Sequence, residues 1–498
     1  MPYPFQLSTT SSISYSVFLD CSTHPSLILA ASTFRSVLRN VLKKQKRLPI
    51  QSQAAHLTVV LSAINDYLPY LFALDSGLSG KSVSNEEVHV ILKKEVEVEW
   101  RPCLAAAIPG RELSRAKGKG LDYEIFFVLS TLAFTYSLLA RVQLHSLYAA
   151  ATPLPEQRTG AITSATKYFL SANSIHDLLA ARAVDNISPT MAIEVSSTAH
   201  SALAALALAE ATLLAVLKDD PYPALVAQAR NGDDKEWMFK APDIPKVRTH
   251  LFARLCLAAA EHAGRAHALL GGSTGGKGNG VSSLILEFTR DLRRTSRAKA
   301  CRFFGIDAES SGKTGEAIAW LEAGSKELGF KSSTEEGSSK VSKAFMKMKK
   351  DLTERKEDER IRKGGEWGSD AGRFEEARVI RMLENRWNKI NDTASADTSV
   401  ADARLSSLMI LQINTQVVPP SDPLIAGMPS GREIHAPKQY IPPDLDEVLL
   451  IRLRAPPDGD DRVLSTDSDN SEDEAKESKA NPPGAFHRSS VAGEGSYY

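Results

Sequence analysis

The chain has 498 residues, 43% of them hydrophobic, enough to build one large domain or two or three ordinary ones. Lys plus Arg equals Asp plus Glu at 60 each, so the formal net charge is zero, which excludes a global basic field for nucleic acid. Cys21, Cys103, Cys256 and Cys301 are widely scattered without a Cys-x-x-Cys, and read as free thiols in a reducing compartment, not as a metal site.

The first cation is Arg35, so no signal-peptide n-region is expected. Residues 1 to about 30 are rich in Ser and Thr and are expected to be extended. Thr33 to Arg47 predicts an amphipathic helix with a basic end (Arg39, Lys43, Lys44, Lys46, Arg47). Gln53 to Leu74 predicts a second, with Leu57, Val60, Leu61, Ile64, Leu68 and Leu71 on one face and a Gly-Ser turn at Ser76 to Ser82. From Val88 to Trp100 the apolar residues Val90, Leu92, Val96, Val98 and Trp100 alternate with polar ones, the period-two signal of a small sheet or hairpin.

Leu121 to Leu217 predicts three long helices around which the rest is organised. In the first, Ile125, Val128, Leu129, Leu132, Tyr136 and Leu139 share a face, while Phe126, Phe127, Phe134 and Leu138 cover the other. A helix apolar nearly all round belongs in the middle of a bundle. Its longest uncharged run, Ile125 to Ala140, has 16 residues, short of the about 20 that span a bilayer. Any membrane contact is therefore expected to be peripheral, and the protein cytoplasmic. The second helix, about Ala161 to Ala183, carries Ile162, Ala165, Phe169, Ala172, Ile175 and Leu179 as its stripe. The third is expected after Ser188-Pro189, with Ile193, Leu203, Leu206, Leu213 and Leu217 inward.

Asp219-Asp220-Pro221-Tyr222-Pro223 then ends one helix and starts another. Further helices are predicted over Val247–Leu270, Leu284–Gly305 and Gly312–Leu328, the middle one with a basic face (Arg290, Arg293, Arg294, Arg297, Lys299). Ser342 to Trp387, within residues 340–390, reads as a charged helical arm with a thin apolar seam and a break at Gly364-Gly365. A proline-rich closing segment covers 419–457. From Ala455 to the end, 455–498, the composition is that of a disordered acidic tail.

Motifs that would signal chemistry fail on spacing. Gly271 to Lys277 imitates a phosphate loop, but Gly278 stands where Ser or Thr is required. Gly312-Lys313-Thr314 has the right ending, yet Asp307 occupies the position of the leading glycine. His262 and His267 are five residues apart and off one face. No catalytic residue, cofactor site or metal site is expected. Tyr222-Pro223-Ala224-Leu225 matches a Tyr-Pro-x-Leu ligand motif but reads as a helix start. The basic runs at Lys43–Arg47 and Arg290–Lys299 read as solvated faces, with anionic lipid as the alternative.

Several ordered blocks carry a family resemblance. Asp122-Tyr123-Glu124-Ile125-Phe126-Phe127, Ala165-Thr166-Lys167-Tyr168-Phe169, Asn186-Ile187-Ser188-Pro189, Leu206-Ala207-Leu208-Ala209-Glu210-Ala211 and Ala224-Leu225-Val226-Ala227 resemble the Bro-one domain of Alix-type endosomal adaptors. Gly315 to Leu321 resembles the entry to a tetratricopeptide-like helix. Within the family, Met1-Pro2-Tyr3-Pro4-Phe5, Asn65 to Leu71 and Val98-Glu99-Trp100-Arg101-Pro102 are similar to the fungal pH-response regulators.

The resemblance implies a mainly α, boomerang-shaped domain over residues 1–450, with its core at 30–330, a small N-terminal β element and no catalysis. It implies an adaptor in alkaline ambient-pH signalling, linking a plasma-membrane pH-sensor complex to proteolytic activation of a zinc-finger transcription factor. The implied partner is the C-terminal amphipathic helix of the Snf-seven-type ESCRT-III subunit, lying in an apolar groove. Carried over by motif, that groove falls at Leu213, Leu225, Val226 and Ala229, aliphatic where Alix-like domains carry an aromatic. A general endosomal sorting adaptor, or a helical enzyme with its site between helices, remains the alternative.

Overall fold

The computed structural model describes residues 2–81, 88–106, 112–149, 154–182, 192–229, 246–272, 280–330 and 367–395. The chain divides into two units, Met1–Asp444 and Leu445–Tyr498, and every described residue belongs to the first. In chain order the elements are β1 (Leu19–Cys21), α1 (Pro25–Arg47), α2 (Ile50–Leu78), β2 (Val90–Leu92), β3 (Glu97–Trp100), β4 (Ala116–Lys119), α3 (Leu121–Ala149) and α4 (Pro155–Ala181). They continue with α5 (Ser197–Asp219), α6 (Tyr222–Ala229), α7 (Lys246–Gly272), α8 (Ser283–Ser310), α9 (Thr314–Glu327) and α10 (Arg373–Ser395).

The first helix begins eight residues earlier than its apolar spacing predicts. Pro25 suits the first turn, where its missing N–H leaves nothing unpaired. Ser32 and Thr33, which weaken the helix signal, turn their hydroxyls back onto the Ile28 and Leu29 carbonyls at 2.8 and 2.9 Å. Helix α2 runs through the expected turn at Ser76 and ends at Leu78, followed by Gly80 at φ +64°. Gly77 within it is demanded by β2: an added Cβ would lie 2.5 Å from a methyl of Val90.

The alternating segment does form strands, but not one hairpin. Each half pairs with a different part of the chain, both antiparallel: Leu19 opposite Leu92, and Val98 opposite Gly118. Val98 and Trp100 point inward while Glu97 faces water, the alternation expected of a half-buried strand.

Helix α3 is buried on nearly every side, with Ile125, Phe126, Phe127, Leu132 and Phe134 all inside. Its polar residues Ser130, Thr131 and Thr135 satisfy themselves on the carbonyl four residues back. By length and composition α2, α3 and α5 are each long enough to cross a bilayer, which the 16-residue uncharged run does not reveal. That run stops at the first charge, whereas a span tolerates one or two. The apolar windows of α3 and α5 are 78% buried within the protein.

From there helices pack in sequence: α3 on α4, α4 on α5, α5 on α7, α7 on α8 and α8 on α9. The third helix of the central trio starts at Ser197, and Ile193 sits in a 3-10 turn just before it, still buried. Ser188-Pro189 lies outside the described residues. So do 342–366 with Gly364-Gly365, the proline-rich segment 419–457 and the tail 455–498. The part of the charged arm that is described, α10, buries Val379, Ile380, Leu383 and Trp387 against α6, α8 and α9. Its seam is a core face, hidden from sequence reading by the charges between those residues.

Candidate docking site at the α5–α6 corner

Helix α5 ends where Asp219-Asp220-Pro221 makes further helical hydrogen bonding impossible, since proline has no N–H to donate. Asp220 Oδ1 accepts from the Tyr222 N–H at 3.1 Å and so opens α6. Arg158 of α4 donates to the Leu217 and Asp220 carbonyls at 2.8 and 2.6 Å, supplying the carbonyls at the end of α5 with a cation.

Beneath the corner lies a buried charge cluster. Arg302 Nη2 is 2.6 Å from Asp220 Oδ2, and its Nε is 2.6 Å from Glu376 Oε1. Lys299 Nζ reaches the other oxygen of Glu376, also at 2.6 Å. Burial alone would raise the Glu376 carboxyl, but the two cations overcome it and hold it below the usual carboxylate range. Burial would likewise strip the proton from Arg302, and the flanking carboxylates reverse that. The guanidinium also sits over Phe303, 4.4 Å from the ring centroid, and over Tyr222. Two cations and two anions thus balance locally and tie α5, α6, α8 and α10 together.

The candidate docking residues fall around this cluster. Leu213 on α5 is half-buried and packs against two core clusters. Leu225 and Val226 on α6 are half-buried against the same cluster that holds Val379, Ile380, Leu383 and Trp387 of α10. The structure therefore brings Leu213, Leu225 and Val226 to one apolar body. Ala229 is the last residue of α6. Leu213 also lines a small cavity of about 60 Å³ with Leu214, Leu217, Tyr148, Asp220 and Glu210.

Glu210 was not singled out by its spacing, although it is the lone charge in an apolar run of α5. It accepts from the Tyr3 N–H at 3.2 Å, and burial pushes its carboxyl up to about 8. Arg302 and Glu376 were also missed. Arg302, between Cys301 and Phe303, offers the only local hint, a charge flanked by core residues.

The other motifs resolve as structure. Tyr222 of the Tyr-Pro-x-Leu match is buried under Arg302, and burial pushes its hydroxyl up to about 12. Gly312, at φ +76°, turns α8 into α9, and Lys313 pairs with Glu316. His267 bonds the Thr289 hydroxyl at 3.1 Å. Of the basic face on α8, Arg297 pairs with Glu327 and Lys299 with Glu376. Ser273 to Lys277, the greater part of the imitated phosphate loop, lies outside the described residues. Among those described, no three His, Cys, Asp or Glu side chains are grouped to hold a metal.

No protein-family model matches the chain. It is 42% identical over 519 residues to the pH-response regulator protein palC of Emericella nidulans, covering 98% of each. It is 24% identical over 500 residues to the palC of Cryptococcus neoformans var. neoformans, covering 89% of this chain and 92% of that one. Similar solved structures include an ALIX BRO1–CHMP4C complex, at 14% identity, TM-score 0.43, 80% of this chain and 90% of that one. Another, a Bro1 domain studied for endosomal targeting, has 13% identity, TM-score 0.43, and covers 84% and 97%. With more than two-fifths of its residues shared with a palC over nearly the whole length of both, this chain belongs to the PalC family of pH-response regulator proteins.

Proposed function

We propose that the protein is a non-catalytic adaptor in fungal alkaline ambient-pH signalling. In this role it links a pH-sensor complex at the plasma membrane to the proteolytic activation of a zinc-finger transcription factor. Its direct partner is the C-terminal amphipathic helix of the Snf-seven-type ESCRT-III subunit, docked at the α5–α6 corner. The observation that carries the reading is the near full-length similarity to a pH-response regulator. The partner rests on the sequence blocks shared with Bro-one domains. The corner supports it by setting half-buried aliphatic side chains Leu213, Leu225 and Val226 on a charged, rigid base.

Half-buried leucines have apolar surface left to cover. Full burial of such a side chain is worth about 1.5–3 kcal/mol before association costs, so two or three half-buried sites by themselves give only weak binding. An ESCRT-III polymer would raise this by presenting many copies.

The test is titration of the isolated ESCRT-III helix onto the full chain. Leu225→Asp with Leu213→Asp should abolish binding; Leu225→Ser alone, a milder change, should weaken it about tenfold with the thermal transition retained. Unchanged binding in folded variants removes the site. In cells, deletion should arrest growth at alkaline pH while cargo sorting persists; a sorting defect with normal alkaline growth would favour a general endosomal adaptor.

A further inference from the structure

The tip of the α1–α2 hairpin is unlike the rest of a chain whose net charge is zero. From Cys21 to Asn65 there is no Asp or Glu, yet six Lys and Arg occur: Arg35, Arg39, Lys43, Lys44, Lys46 and Arg47. Arg35 is buried and neutralised by Glu124 at 2.8 Å. The other five crowd the last three turns of α1. An acid does reach them from another segment: Glu112 lies 2.6 Å from Lys46 and is shared with Arg101.

Cations in a last helical turn favour the helix dipole, which explains one or two of them. It does not explain what lies beside them. Asn40, Lys43, Lys44, Arg47 and Leu48 line an open hollow of about 310 Å³. Just past Leu48 in the chain, Ile50 is 63% exposed, and Pro49 before it is exposed too. An exposed aliphatic side chain at the point of a helical hairpin, a few residues along the chain from exposed ammonium and guanidinium groups, has the chemistry that suits a bilayer surface. The cations meet lipid phosphates and carboxylates, and the apolar tip enters the boundary of the acyl region. Nucleic acid fits less well, because Arg39 to Ala55 contains no aromatic side chain on which a base could stack.

We propose that the α1–α2 tip is a membrane-contact site for anionic phospholipid, with the exposed Lys44 and Arg47 taking the headgroups and Ile50 inserting. This surface lies on different helices from the proposed ESCRT-III site, so one molecule could hold both.

The test is co-sedimentation of the full chain with phosphatidylcholine vesicles, with and without phosphatidylserine, at low and raised salt. Each Lys or Arg near an anionic surface is worth roughly fivefold in affinity. Lys44→Glu with Arg47→Glu, both exposed, should therefore lower binding at least about 25-fold. Ile50→Ser should lower it several-fold without changing its salt sensitivity. Binding should require phosphatidylserine and weaken as salt screens the charges. Equal binding to neutral vesicles, wild-type binding by the Lys44/Arg47 variant, or displacement by millimolar inorganic phosphate would each overturn the proposal. So would tighter binding to an RNA oligonucleotide than to vesicles. Circular dichroism and helix titration of each variant would separate a lost surface from a lost fold.

Discussion

Arg302 joins two carboxylates that lie 82 and 74 residues away in the chain, Asp220 and Glu376, each at 2.6 Å. Through it the α5–α6 corner is bolted to α10. Removing one member of a buried ion cluster strands the others without solvent, which costs about 3–5 kcal/mol. Arg302→Met should therefore destabilise the domain by that much in urea titration. Amide exchange should speed up first in α6 and α10, the two elements that lose their shared anchor. Replacing Arg302, Asp220, Glu376 and Lys299 together with apolar residues should cost less than Arg302→Met alone.

A second hub holds the N-terminal half. Glu124 accepts from Arg35 Nε at 2.8 Å, Trp100 Nε1 at 2.6 Å and the Tyr67 hydroxyl at 3.2 Å, and Tyr67 meets the Tyr15 hydroxyl at 2.5 Å. It thereby connects α1, α2, β3 and α3. Glu124→Ala should cost about 3–5 kcal/mol by leaving Arg35 buried and unpaired, and the near-ultraviolet spectrum should change as Trp100 loses its partner. Glu124→Gln, which keeps one acceptor oxygen but not the charge, should fall between.

The buried pair His176 and His200 makes stability pH-dependent. Their Nδ1 atoms are 3.2 Å apart, and His200 Nε2 lies 2.7 Å from the Glu194 carbonyl. Burial pushes His200 down to about 4 and, with the neighbouring ring adding to it, His176 well below its ordinary value. Both folded pKa values lie below the unfolded 6.5, so the unfolded chain takes up protons the native state refuses. The pair's contribution to stability should be full above about pH 6.5 and be lost as pH drops from there towards 4, by roughly 3 kcal/mol for His200 alone, while Glu210, pushed up to about 8, works in the opposite sense. Urea titrations at several pH values read this directly. His200→Gln should flatten the slope; an unchanged slope would show that other groups carry it.

Gly118 is required by contact. A Cβ there would lie 2.2 Å from the Tyr123 ring, whose hydroxyl donates to the Ala116 carbonyl at 3.3 Å. Gly118→Ala should force β4 away from α3 and cost about 1–3 kcal/mol. Gly118→Ala combined with Tyr123→Leu should recover part of the loss, which a thermal melt would register.

Much of this was legible beforehand. The aromatic run of α3 announced a central helix, and the alternation ending in Val98 and Trp100 announced strands. Boundaries slipped where local chemistry hid them: Ser32 and Thr33 delayed α1, and Ser76 and Gly77 cut α2 short. The candidate residues Leu213, Leu225 and Val226 came from resemblance, and it took the packing to show that they are half-buried on one body with α10.

The order of helices, their apolar faces and the acid-free stretch around Lys43 to Arg47 were determined by the sequence alone, because periodicity and local charge are properties of neighbours. Which strand pairs with which, that α10 closes over α6 and α8, and that Arg302 sits between Asp220 and Glu376 were decided only by the tertiary structure. Those contacts join residues many turns apart, and the partners that let a charge be buried are set only when distant helices close over it.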